Sequence, residues 1–188
     1  MKIVFVFVFV IILFGCNIFV PREAEAPRPP AEWHAFQTTP EMCLENLVFA
    51  YNFIENGWKY SSVLSSRFEF HFDPQDRIDL TLPISWGRID EIDMLRNAHS
   101  RTGANGIELE LTKILDQEDR IQANSAWIFR RYVLVVSTGE EGLFQTYTGK
   151  LELYLESELG LWVIREWSDF RDDNEWTWGR MKDAFSSI

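Results

Sequence analysis

Two stretches of period-two alternation in the second half of the chain, each longer than an ordinary strand, constrain the fold more than any other feature. Ile121 to Ser137 places Trp127, Phe129, Val133 and Val135 on one parity, and Leu143 to Glu156 aligns Leu151, Leu153 and Leu155. At about 3.3 Å per residue, each would reach on the order of 40 to 50 Å if straight, far beyond the usual strand. Strands of that length cannot stay flat in one small domain. They must bend, and a bent antiparallel sheet leaves a concave side for other elements to fill. Gly149, inside the second stretch, is the expected bulge or bend.

Shorter alternating segments flank this pair. Ile107-Glu108-Leu109-Glu110-Leu111 precedes it and Leu161 to Phe170 follows, with turns at Asp116 to Asp119, Gly139 to Gly142 and Glu158-Leu159-Gly160. Four successive strands with short loops predict an antiparallel meander. Ahead of it the period is helical. Thr39-Pro40-Glu41 supplies a capping hydroxyl, a proline at the first helical position and an acidic first turn. Leu44, Leu47, Val48, Tyr51 and Ile54 then carry a helix of about four turns to Asn56-Gly57. Tyr60 to Leu64 reads as a short helical turn, and Phe68 to Phe72 as a short strand ending at Asp73-Pro74. Ser85 is the expected cap of a second helix with Ile89, Ile92, Met94 and Leu95 as its apolar positions. The fold class is therefore α+β: N-terminal helices packed on a strongly curved antiparallel sheet, as one domain over residues 39–188 with a short C-terminal extension. A composition of 46% hydrophobic and 15% aromatic residues agrees with a packed core.

The first residues follow a different logic. Lys2 and an apolar run from Ile3 to Phe14 lead into Leu13-Phe14-Gly15-Cys16, which resembles the processing site of bacterial lipoproteins. The resemblance implies a signal peptide over 1–15 and acylation of Cys16, with palmitate-type chains anchoring the protein in a membrane. Asn17 in place of Asp resembles the signal for passage to the periplasmic face of the bacterial outer membrane. The alternative is an uncleaved anchor running on through Ile18-Phe19-Val20, which also leaves the body outside the cytoplasm. Pro21, Pro27, Pro29 and Pro30 make residues 16–38 an extended tether, with Trp33 and Phe36 available to pack back on the body. Cys43 has no partner thiol and is read as a small buried residue on the first helix.

The order of helix, short helix, short strand, helix and curved meander resembles the nuclear transport factor 2-like superfamily, the cystatin-like cone. The resemblance rests on Thr39-Pro40-Glu41 with Asn46, Ala50 and Tyr51, and on the closing strand Trp162-Val163-Ile164-Arg165-Glu166-Trp167-Ser168-Asp169. It implies a cone in which enzymatic members place a carboxylate, histidine or tyrosine. Tyr51, His71, Glu166 and Asp169 are the candidate pocket positions here, with Trp127 and Trp167 as aromatic lining. None matches a catalytic motif residue by residue, so no catalytic role and no cofactor is assigned.

The remaining chemistry is sparse. His34, His71 and His99 form no locally spaced pair for a metal, and Asp169 to Glu175 lacks the turn glycine of a calcium loop and reads as a solvated loop. A net charge of −11 argues against a nucleic-acid partner. Trp127 and Trp162 are expected in the core, and Trp176 and Trp178 against the body or across the cone mouth. Residues 127 to 136 are apolar on both parities except at Arg130 and Arg131, which predicts cover on both sheet faces. Helices can cover only the concave face, leaving the convex face for a second copy or another envelope protein. The leading functional expectation is a lipid-anchored, non-enzymatic binding or interaction domain. The alternative is a small-molecule isomerase or dehydratase with a cone-shaped pocket.

Overall fold

A computed structural model describes residues 32–137 and 143–186; the leader, Cys16, the tether up to residue 31 and the turn at Gly139 to Gly142 lie outside them. Thr39 caps α1 (Pro40–Asn52) by accepting the Met42 N–H at 3.3 Å. The helix stops at Asn52, short of the expected Asn56-Gly57, because Phe53 is extended and a 3₁₀ helix (Ile54–Ser62) takes over. The Asn52 side chain marks the change of direction. It accepts the Leu109 N–H at 2.6 Å and donates to the Leu109 carbonyl at 3.2 Å, tying the helix end to an edge strand.

The chain then forms β1 (Leu64–His71), α2 (Pro74–Leu80), β2 (Ser85–Gly87) and α3 (Arg88–Thr102). Sequence reasoning missed α2, although Asp73 caps it by accepting the Gln75 N–H and Pro74 opens it. Ser85 is a strand residue and not a cap. The α3 start is fixed instead by Asp90, whose carboxylate accepts the Gly87 N–H at 3.0 Å. The buried stripe of α3 is Glu91, Met94, Leu95 and Ala98, while Ile89 is 75% exposed. After α3 come β3 (Ile107–Lys113), β4 (Arg120–Ile121), β5 (Ser125–Ser137), β6 (Phe144–Glu158), β7 (Leu161–Phe170) and α4 (Trp178–Ser186).

The seven strands form one sheet in the order β2-β1-β7-β6-β5-β3, with β4 pairing onto β5. The meander β3-β5-β6-β7 is antiparallel as expected, but β1 runs parallel to β7, so the sheet is mixed. Registers shift between Tyr154 and Leu155 and between Leu64 and Glu69, and these irregularities are where the ladder is disrupted. Gly149 is not one of them. It pairs with Tyr132 in unbroken register, and a Cβ there would lie 2.5 Å from the Tyr132 Oη and 2.6 Å from the Phe170 carbonyl oxygen. Its function is clearance.

Alternation along β5 sends Ala126, Ile128, Tyr132, Leu134 and Val136 into the core with Leu47, Tyr51, Met94 and Leu95. The opposite parity forms the other face. There Trp127 lies against Tyr154 with ring centroids 4.8 Å apart, under the Arg120 guanidinium, and not in the core as expected. Asp119 does more than end a hairpin: it binds Arg130 through both oxygens at 2.7 and 2.8 Å. In the acidic run after β7, expected to be a solvated loop, Asp173 and Glu175 are exposed, but Asp172 pairs with Arg131 and Lys150 and ties the segment to the sheet. Of the two aromatics before α1, Trp33 packs against the core and Phe36 is exposed. Cys43 is buried on α1, and burial pushes its thiol far above the usual range.

Candidate site in the cone

The concave side of the sheet is filled by the chain's own C-terminal helix. Thr177 starts α4 by accepting the Arg180 N–H at 3.2 Å, and the buried side of the helix carries Trp178, Met181 and Lys182. Trp178 meets three rings edge-on: Trp167 at 4.4 Å, Tyr132 at 4.9 Å and Tyr51 at 5.1 Å between centroids. Such contacts add about 0.5–1.5 kcal/mol each beyond the area buried. Its polar atoms are also satisfied, since the indole N–H donates to the Tyr51 hydroxyl at 3.2 Å and the backbone N–H to the Tyr132 hydroxyl at 2.7 Å.

Asp169 anchors the start of the helix. One oxygen accepts the Tyr132 O–H at 2.8 Å and the other the Gly179 N–H at 2.7 Å. Burial nevertheless pushes its carboxyl up to about 7, against these two bonds. A second carboxylate, Asp76 of α2, accepts from Arg171 at 2.6 Å, from Arg180 at 2.9 Å and from the Thr177 hydroxyl. Asp79 accepts from the same two arginines. Helix α2 thus clamps the first turn of α4 to the end of β7.

Deeper in, Glu91 and Lys182 form a fully buried ion pair. The Lys182 Nζ lies 2.5 Å from a Glu91 oxygen, with the Phe70 ring centroid at 3.9 Å, Trp167 at 4.0 Å, Trp178 at 5.7 Å and Trp86 at 5.8 Å. Glu91 also accepts the Tyr60 O–H at 2.6 Å, the Tyr51 O–H at 3.3 Å and the Trp86 indole N–H at 3.0 Å. Burial lowers Lys182 to about 8 against the pull of Glu91, and burial followed by the Glu91 charge holds the Tyr51 and Tyr60 hydroxyls protonated. The Trp167 indole nitrogen is buried in this wall with no hydrogen-bond partner.

Of the positions singled out from sequence, the structure brings Tyr51, Trp167 and Asp169 together around Trp178 and separates the other three. His71 is half-buried on the opposite face of β1 from Phe70, 3.8 Å from Glu69. Glu166 is exposed because alternation turns it away from Trp167, and Trp127 has the outward parity of β5. Glu91, Lys182, Tyr60, Tyr132 and Trp178 went unrecognised as site residues. A signal for the ion pair was present: Glu91 lies in the stripe with Met94, Leu95 and Ala98, and Lys182 in the stripe with Trp178, Met181 and Phe185. An acid and a base, each in an apolar stripe, call for each other.

Pockets open to solvent lie outside the cone. A pocket of about 600 Å³ is lined by Phe72, Trp86, Asp90, Asp93, Met94 and Asp183, among others. A second, of about 470 Å³, lies between Trp58, Ile92, Arg96 and His99. No group of three potential metal ligands occurs among the described residues.

No protein-family model and no curated protein matches the sequence. Solved structures do. A conserved protein from Planctomyces limnophilus aligns with a TM-score of 0.57 at 13% identity over 69% of this chain and 91% of its own. A Novosphingobium aromaticivorans protein provisionally named a scytalone dehydratase gives 0.55 at 10% identity over 69% and 78%. A nuclear transport factor 2-like superfamily protein from Salmonella enterica gives 0.50 at 12% identity over 71% and 89%. At such identities the likeness concerns the fold, and the chain has the nuclear transport factor 2-like, cystatin-like fold.

Proposed function

We propose that this is a non-enzymatic binding domain of the cell envelope, exported and anchored through lipid on Cys16 at the periplasmic face of the outer membrane. The observation that carries the non-enzymatic part is the filled cone: Trp178 and Lys182 occupy the interior, and both oxygens of Asp169 are taken by the fold itself. The Leu13-Phe14-Gly15-Cys16 sequence and the proline-rich tether support the anchor. The convex sheet face, which carries Trp127 against Tyr154 near the start of β5 and the 39% exposed Val133 further along the strand, is the surface offered to a second copy or another envelope protein.

Metabolic labelling with palmitate and photo-crosslinking test this reading. The full chain is expected to take up labelled palmitate and to lose residues 1–15, Cys16→Ala to do neither, and a crosslinker at Val133 to trap a discrete adduct. An unlabelled native chain that keeps its leader would sink the lipid anchor. Turnover of a small hydroxylated or carbonyl compound, abolished by Asp169→Asn, would sink the non-enzymatic assignment and favour the dehydratase or isomerase alternative.

A further inference from the structure

The groups around the Lys182 ammonium form a receptor for a cation, and all but one of them come from the body of the domain. Phe70 belongs to β1, Trp86 to β2, Glu91 to α3, Trp167 to β7, and the two tyrosines to α1 and the 3₁₀ helix. Only Trp178 comes from α4. Rings on several sides of an ammonium, with a carboxylate behind it, are the chemistry by which aromatic cages bind organic cations. In this state the occupant is a lysine of the same chain.

The two ends of α4 are held differently. Its first turn is fixed by buried groups, namely Asp169, Tyr132 and Asp76. Its last turn is held by side-chain bonds from the outer part of α3: Asn97 to the Phe185 carbonyl at 3.1 Å and Arg101 to the Ala184 carbonyl at 2.9 Å, with the Arg101 guanidinium over the Phe185 ring. A nine-residue helix has little stability apart from its docking, and its last turn, with Ala184 and Ser186 exposed, opens at less cost than the buried first turn. The pocket of about 600 Å³ lies on this side. It shares the Trp86 wall with the cage, and Asp90, Asp93 and Asp183 line it, a field that gathers cations at the mouth.

We propose that the cage of Phe70, Trp86, Trp167, Trp178 and Glu91 is a binding site for a primary alkylammonium ion, which replaces the Lys182 side chain when the last turn of α4 lifts. Trp178 stays clamped and remains a wall. Primary ammonium is favoured over quaternary because Lys182 donates to both Glu91 oxygens, which a fully methylated nitrogen cannot do. The inference deepens the binding-domain reading and rests on it only in that the bound cation is not transformed.

The experiment uses the full chain with n-butylammonium, which copies the lysine side chain, against n-butanol and sodium chloride as neutral and ionic controls. Hydrogen exchange of the amides in 183–186 is expected to quicken saturably with n-butylammonium and with neither control. Lys182→Ala, freed of the internal competitor, should bind the probe about ten- to a hundredfold more tightly, the factor set by how rarely the cage is open in the parent chain. Unchanged exchange of the last turn at saturating probe overturns the proposal, and does so from the unmodified protein even if Lys182→Ala fails to fold. Binding that survives Glu91→Gln undiminished in the folded variant overturns it as well. Magnetic-resonance spectra of the recovered probe separate the two readings: chemical conversion refutes the non-enzymatic function, whereas failure to bind refutes the ammonium site alone.

Discussion

Replacing Asp169 by asparagine keeps the shape of the side chain and removes its titration. In the native protein burial raises this carboxyl from 3.8 to about 7, so the folded state binds the proton more tightly than the unfolded chain does. Below the unfolded value both states are protonated and the whole contribution is present; it is lost as pH rises through about 7. A shift of roughly three units corresponds to about 4 kcal/mol in all, of which about 2.5 kcal/mol falls between pH 5 and pH 8. For a urea dependence of about 2 kcal/mol per molar, the unfolding midpoint of the native protein should rise by about 1 M relative to that of Asp169→Asn on going from pH 8 to pH 5. His99, which burial holds below its usual value, works in the opposite direction as pH falls through 6.5. It is common to both proteins and cancels in the difference. The assay is urea unfolding followed by tryptophan fluorescence across that range. Parallel pH profiles for the two proteins would refute the account of Asp169 as a carboxyl held in the interior at a cost.

Three further substitutions probe the packing of the domain. Glu91→Gln or Lys182→Met alone should destabilise by about 3–5 kcal/mol by leaving a buried charge uncompensated, while the double variant should cost far less than the sum; additive losses in chemical denaturation would show that the pair is not coupled. Gly149→Ala should cost about 1–3 kcal/mol, because the added methyl meets a backbone carbonyl as well as the Tyr132 hydroxyl, and an unchanged melting temperature would contradict the close packing there.

The strands were readable because one face of each is buried, which writes alternation into β5 and β6 directly. Their partners were not. The parallel pairing of β1 with β7 is set by tertiary contacts such as Phe70 against Trp167, and no local pattern announces them. Helix α2 was hidden because its Asp76 and Asp79 look like surface residues; Asp79 is exposed, and the burial of Asp76 depends on Arg171 and Arg180, about a hundred residues away. For the site, Tyr51, Trp167 and Asp169 were found as chemically capable groups on inward positions. His71, Glu166 and Trp127 were chosen by residue type without knowing the parity, and each lies on the other face. In α3, Ile92, Met94 and Leu95 face the core as their spacing suggested, but Ile89 does not. An isoleucine outweighed the glutamate two residues on, although it is Glu91 that points inward.

The parallel pairing of β1 with β7 has a consequence for how the chain assembles. Leu64 meets Ile164 only after about 100 intervening residues, and closing so long a loop brings a larger entropic cost than the tight turn between β6 and β7. The β5-β6-β7 portion can form from neighbours, whereas the helices and β1, although made first, gain their sheet late. Helix α4 can dock only on a sheet that is already assembled, because its first turn is held by Asp169 of β7, Tyr132 of β5 and Asp76 of α2. Until it docks, the aromatic interior faces water, which makes this nine-residue helix the step that converts a sticky intermediate into a finished domain.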